Sequence, residues 1–189
     1  MSEDDRAKWN QRYALDREAR TPSALVTTLE SELPRAGRAL DLAGGTGRHA
    51  LWLAARGLDV TLCDVSDVAL SIALEHAAER SLTVRTLRVD LETEPMPAGP
   101  WDLIVSFHYL QRSLFDVFAS LLSPDGQLLF VQPTQANLER HPRPGAPFLL
   151  GDGELPRLLR GLEIVRYDEG WLSEGRHEAR VLARRLRAS

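Results

Sequence analysis

Between residues 38 and 132 the chain alternates two hydrophobic periods. Short apolar runs occur at RALDL (38–42), LDVTLCD (58–64), LTVRTLRVD (82–90), WDLIVSF (101–107) and QLLFVQ (127–132). The first three carry an acid at or beside their final residue, and the fourth opens on one. Between them lie HALWLAARG (49–57), SDVALSIALEHAAERS (66–81) and SLFDVFASLLSPDG (113–126), whose apolar residues recur at helical spacing. This alternation predicts an α/β fold: a Rossmann-like, doubly wound, mostly parallel sheet with helices on both faces. Before it, Asp4 to about Arg20 reads as a polar helix, and SALVTTLESEL (23–33) as a second helix starting after Pro22. After it, ELPRLLRGL (154–162) reads as a short helix. EIVRYDEGW (163–171) and HEARVLARRL (177–186) read as two strands joined by SEGR, which predicts seven strands closing on an antiparallel hairpin. Residues 132–152, rich in Pro, Gly and polar residues, read as a long loop and a candidate lid. One domain over 1–189 is expected, divided into an N-terminal helical cap (1–34), a core (35–131), the lid loop and a C-terminal helix and hairpin (153–189).

Composition narrows the function. The 189 residues carry a net charge of −4 and no long apolar run, so neither a membrane span nor an overall nucleic-acid footprint is expected. The basic run RVLARRLR fits a strand with one solvated face. Cys63 is the only cysteine, in an apolar strand-like run, which leaves no disulfide framework, no thiolate metal site and a buried thiol rather than a nucleophile. The acidic opening Met-Ser-Glu-Asp-Asp is unlike a secretory leader, and the expected compartment is the cytoplasm.

The most informative stretch is DLAGGTGRHA (41–50). Asp41 ends the first predicted strand, and Gly45, Gly47 and Ala50 form GxGxxA, a near side-chain-free turn into a helix whose N-terminus favours an anion. Asp64 and Asp90 close the next two predicted strands. In such a sheet all three acids face the crevice outside the carboxyl ends of the strands, where ligands bind. GxGxxA alone also fits a dinucleotide, and each acid alone could be a helix cap. The acid immediately before the glycines separates the readings.

With those residues in view, ALDLAGGTGRHALWLAARGLDVTLCDVS and RVDLETEPMPAGPWDLIVSF resemble the signature segments of class I S-adenosylmethionine-dependent methyltransferases. The resemblance covers about residues 38–131. It implies S-adenosyl-L-methionine as cofactor, with Asp41, Gly45 and Gly47 around its methionine moiety. Asp64, followed by Val65, would hold the ribose, Asp90 with Leu91 would address the adenine, and Ser106 with Phe107 would flank the methionine amino group. Ala43 and Gly44 depart from the family's usual residues but remain small. KWNQRY, SFHYLQRSLF, PFLLGDGEL and GRHEARVLARR are similar to the small tellurite-resistance-type subgroup. That likeness implies a small-molecule acceptor such as a thiol or a chalcogen oxyanion.

Methyl transfer from a sulfonium asks mainly for alignment and exclusion of water, with a base only for a protonated acceptor. The catalytic candidates are His108 and Tyr109 after the fourth strand, and Arg176 and His177 at the hairpin. Arg112, Arg140, His141 and Arg143 are further charged or polar candidates. Trp9, Arg12 and Tyr13 form a cluster at helical spacing, where Arg12 could meet the cofactor carboxylate. No metal is expected. The competing readings are an NAD(P)-dependent oxidoreductase and a non-catalytic S-adenosylmethionine-binding regulator.

Overall fold

The computed structural model describes residues 3–18 and 20–187. Helices α1 (Glu3–Leu15) and α2 (Ala24–Thr28) precede a repeated strand–helix pattern: β1 (Arg38–Leu42), α3 (Arg48–Ala55), β2 (Asp59–Asp64), α4 (Asp67–Glu79), β3 (Val84–Arg88), β4 (Trp101–Phe107), α5 (Phe115–Leu121) and β5 (Leu122–Pro133). A short helix α6 (Glu154–Leu158) and the hairpin strands β6 (Glu163–Trp171) and β7 (His177–Arg184) follow. The seven strands form one sheet in the order β3-β2-β1-β4-β5-β7-β6. The first five run parallel, while β7 inserts antiparallel between β5 and β6.

The winding places a crevice. From β1 the chain moves outward through β2 and β3, then returns to lay β4 on the other side of β1. That reversal opens a gap above the carboxyl ends of β1 and β4, the place where α/β sheets take ligands. Strand alternation separates two cores. On one face Leu40, Leu42, Ile104, Leu128 and Phe130 pack with Phe115, Phe118 and Leu155. On the other, Leu62, Leu103, Val105 and Leu129 pack with Val26, Leu51, Leu53 and Leu70.

Several expectations change in detail. The second predicted helix is helical only over Ala24–Thr28. The turn at SPDG falls within the bounds of β5, where Asp125 has φ +65° and the register with β4 shifts between Trp101 and Leu103. Asp90 stands in a turn two residues beyond β3 rather than at a strand end. β7 is mostly buried: Val181, Leu182 and Ala183 of RVLARRLR are covered, while Arg180 and Arg184 are partly exposed in ion pairs with Asp168 and Glu163 of β6. The predicted loop starts as the end of β5, and Thr134 bridges to Leu150. Leu149 and Leu150 are wholly buried, which holds the far end of the segment against the core.

Gly44 tests the turn after β1. A Cβ there would stand 2.4 Å from Leu62 Cδ1 and 2.5 Å from Asp41 Cγ, while one on Gly170 in β6 meets nothing within 4 Å. Gly44→Ala is expected to destabilise the protein by about 1–3 kcal/mol, and Gly170→Ala to stay within about 0.5 kcal/mol of wild type, by urea unfolding.

Candidate active site

Two buried carboxylates hold the glycine turn. Asp41 Oδ2 accepts the Ala50 N–H at 2.9 Å, which draws the first turn of α3 down onto the end of β1. Asp64, at the end of β2, accepts the Gly45 N–H through Oδ2 and the Ser66 N–H through Oδ1, both at 2.9 Å. Gly45 adopts φ +57°, and a Cβ on it would lie 2.6 Å from the Tyr13 hydroxyl. The backbone here must stay bare. Gly47, with φ +78°, precedes α3, and Ala43 enters the turn with φ +52°.

Asp41 is 1% exposed, and its second oxygen, Oδ1, accepts no hydrogen bond. Burial pushes its carboxyl up to about 7, against the opposing pull of the Ala50 N–H and of Arg48. Burial also raises Asp64, with the Ser66 and Gly45 N–H groups opposing it. Ser106 Oγ, at the end of β4, is likewise buried without a partner. Buried polar atoms without partners are costly, and these two stand near the carboxyl ends of the neighbouring strands β1 and β4.

The N-terminal helix is fastened across this turn. Asn10 Oδ1 accepts the Ser66 hydroxyl at 2.6 Å, and Ser66 Oγ in turn caps α4 by accepting the Ala69 N–H at 3.1 Å. Arg6 Nε donates to Asp67 Oδ2 at 2.9 Å. Tyr13 thereby rests against Gly45, its phenol pushed up by burial and by Asp64. Arg12 is exposed, with its guanidinium 5.0 Å above the Trp9 ring.

At the end of β4, Phe107 packs against the ring of His49 with centroids 4.0 Å apart. His49 is buried and held neutral, its pKa lowered to about 3 by burial and then by Arg48 and His108. His108 takes a left-handed backbone, φ +63°, and donates its N–H to Val131 O at 2.8 Å. Its Nε2 lies 2.8 Å from Glu178 Oε1, and Arg176 Nε lies 3.2 Å from the same oxygen. His177, one residue earlier on β7, faces the other way. Its Nδ1 meets Thr134 Oγ1 at 2.7 Å and its ring packs edge-on to Trp171. The structure thus joins His108 and Arg176 through Glu178 and sets His177 apart.

Arg48 completes the charge pattern. Burial lowers its pKa and Asp41 raises it, with Arg176 and Arg20 lowering it further and Glu178 opposing them. Three guanidinium groups therefore share one electrostatic neighbourhood with Asp41 and Glu178. Arg48 and Arg20 also line a cavity of about 460 Å³ with Asp16, Glu18 and Thr21.

The other candidates fall elsewhere. Asp90 Oδ1 accepts the Glu92 N–H at 3.0 Å, and Val65 and Leu91 are buried. The Tyr109 hydroxyl is buried without a partner; its phenol is raised by burial and then by Glu92, Asp90 and Cys63, which sets it on the β2–β3 side rather than beside Arg176. Arg112 grips Glu154 at 2.6 and 2.9 Å and Leu149 O at 3.0 Å, a structural clamp. Arg140 stacks 3.7 Å above Trp171, His141 Nε2 meets Gly175 O at 2.8 Å, and Arg143 is exposed. Burial raises the Cys63 thiol out of reach of ionisation at neutral pH. Among the described residues no cluster of His, Cys, Asp or Glu is placed to hold a metal, and no helix is long and apolar enough to cross a membrane. Sequence reasoning did not single out Asn10, Arg48, His49 or Glu178. Only the position of Arg48 and His49 directly behind Gly47 pointed to any of them.

A seven-stranded α/β sheet with an acid-held glycine turn at its switch point defines the class I S-adenosylmethionine-dependent methyltransferase fold. The comparisons agree. A family model described as a methyltransferase domain matches residues 39–126. The ubiquinone/menaquinone biosynthesis C-methyltransferase UbiE of Syntrophotalea carbinolica is 32% identical over 164 residues, covering 78% of this chain and 68% of that one. The putative methyltransferase YqeM of Bacillus subtilis is 35% identical over 111 residues, covering 54% of this chain and 44% of its own. Among solved structures, TehB from Haemophilus influenzae matches with a TM-score of 0.73 at 22% identity, covering 94% of this chain and 67% of that one. The chain belongs to the S-adenosylmethionine-dependent methyltransferase family, whose cofactor is S-adenosylmethionine. It spans about half the length of most of the curated relatives it matches.

Asp41 yields a test of the site. The native state keeps its proton up to about pH 7, whereas an ordinary Asp releases it near 3.8. Its ionisation therefore costs native stability as pH rises across that window, and the whole cost is present above it. Asp41→Asn is expected to raise the stability of the ligand-free protein at pH 8 by roughly 1–3 kcal/mol, with the gain fading toward pH 4. Urea unfolding at both pH values checks this; a loss of stability at pH 8 would contradict it.

Proposed function

We propose that this chain transfers the methyl group of S-adenosylmethionine to a small acceptor, a thiol or a chalcogen oxyanion, held beside the carboxyl ends of β1 and β4. The observation that supports it best is the pair of unpartnered buried atoms, Asp41 Oδ1 and Ser106 Oγ, near the carboxyl ends of the neighbouring strands β1 and β4. A zwitterionic amino-acid moiety supplies both an ammonium donor for the carboxylate and an acceptor for the hydroxyl. Gly44, Gly45 and Gly47 would let its backbone-like end approach closely. Asp64, with spare lone pairs on oxygens that already take backbone N–H groups, would receive the ribose hydroxyls, and Asp90 with Leu91 would border the adenine.

When bound, the cofactor supplies an activated methyl on a sulfonium whose leaving group departs uncharged. The protein's part is to align the acceptor and exclude water. Arg48, Arg176 and Arg20 supply a positive field that would favour negative charge present or developing on the acceptor. The segment 1–34 would cover the cofactor through Tyr13 and Asn10. The segment 132–152 is fastened to the hairpin through the contacts of Asn137 and Thr134 with His177. A second reading, an aromatic acceptor, is favoured by the relatives named for ubiquinone and menaquinone biosynthesis.

Calorimetry is expected to show binding of S-adenosylhomocysteine and none of NADH, and Asp64→Ala is expected to weaken the former by about 1–3 kcal/mol. NADH binding with no response to S-adenosylhomocysteine would overturn the proposal. In a methyl-release screen of thiols, selenite, tellurite, small amines and catechols, the thiol or oxyanion arm should respond. Arg176→Ala should lower turnover there at least about tenfold while leaving S-adenosylhomocysteine affinity unchanged.

A further inference from the structure

Resting on that reading, we infer that His108 and Glu178 form a proton-accepting pair, so that the site takes an acceptor arriving with its proton still attached. Glu178 is buried, 4% exposed, and its Oε1 lies 2.8 Å from His108 Nε2. An ionised carboxylate only accepts, so the contact places the ring proton on Nε2 and leaves the lone pair on Nδ1. The His108 side chain remains about one-third exposed (31%), which leaves the ring within reach of the crevice. Its backbone is left-handed and donates its N–H to the Val131 carbonyl, which fixes where the side chain starts.

A simple ion pair would not need this. Arg176 Nε already neutralises Glu178 at 3.2 Å. The His108 contact is a hydrogen bond added to a carboxylate that Arg176 already pairs. It fixes the ring's tautomer and direction. The charged and titratable groups that surround the pair are Arg176 on the hairpin and Arg48 and the neutral His49 on α3.

In the step this implies, the acceptor's X–H bond breaks and its proton goes to His108 Nδ1 as the X–CH3 bond forms. The electron pair of the broken C–S bond stays on sulfur. The imidazolium, stabilised by Glu178, then releases its proton to solvent. His108 touches the acceptor, while Glu178 acts through His108 as a positioning residue. The acceptor class is therefore a thiol or hydroxyl that is mostly protonated at neutral pH. A pre-ionised oxyanion would not require the pair.

The test compares two acceptors at pH 7: an alkanethiol, mostly protonated there, and an arylthiol, mostly ionised. His108→Asn should reduce kcat for the alkanethiol about 100-fold or more, with less than about a fivefold loss for the arylthiol. Glu178→Gln should show the same asymmetry, more weakly. KM and S-adenosylhomocysteine affinity should stay unchanged. Equal losses for both acceptors would overturn the pair. An independent readout is 15N NMR of the histidine-labelled full chain at pH 8, expected to show His108 protonated at Nε2, with the preference lost in Glu178→Leu. A wild-type His108 protonated at Nδ1 would overturn the proposal whether or not any acceptor is found. Failure of S-adenosylhomocysteine to bind would instead sink the parent reading.

Discussion

Everything at this site hangs on a carboxylate placed where a carboxylate is least at ease. Asp41 is buried at the end of β1, yet only one of its oxygens is spent within the protein, on the Ala50 N–H. That single bond draws α3 onto the strand and forces the intervening turn so close that Gly44 has no room for a methyl group. The other oxygen is buried unpaired. Desolvation penalises this arrangement in the free protein, and a cationic ligand group would relieve it. The fold thus stores at Asp41 a cost that binding can recover.

From that point the site builds outward in two directions. Toward β2, Asp64 binds the turn and the start of α4 together, and Ser66 passes the connection on to Asn10 of the N-terminal helix. Tyr13 then lies over the turn because the helix carrying it is fixed at α4. Toward β4 and the hairpin, alternation along β7 turns Glu178 into the crevice and His177 out to Thr134. One side is built from backbone N–H groups and hydroxyls, the other from guanidinium groups, a carboxylate and imidazoles. A cofactor with a neutral ribose and a charged amino-acid end, beside a polar acceptor, matches that division.

The sheet was legible because its signals are local: apolar runs of strand length, acids at their ends, and helical spacing between them. The glycine turn was legible for the same reason, since Asp41, Gly44, Gly45 and Gly47 fall within seven residues. Asp90 was placed too early because an acid after an apolar run looks the same whether the strand ends at it or two residues before. Glu178 was missed because its meaning depends on a residue seventy positions away in sequence. Arg48 and His49 sat in plain view, but only burial distinguishes them from solvated residues on a first helical turn. Asn10 carried no signal at all, since its role exists only once α1 meets α4.

The central claim is that Asp41 is partly protonated in the free protein near neutral pH and becomes a carboxylate when a cofactor's ammonium reaches Oδ1. The most direct measurement is calorimetry of S-adenosylhomocysteine binding at pH 7 in buffers of different ionisation enthalpy. Binding should release a fraction of a proton in the wild type, and Asp41→Asn should abolish that release. Binding with no proton released, or with the same release in Asp41→Asn, would contradict the account.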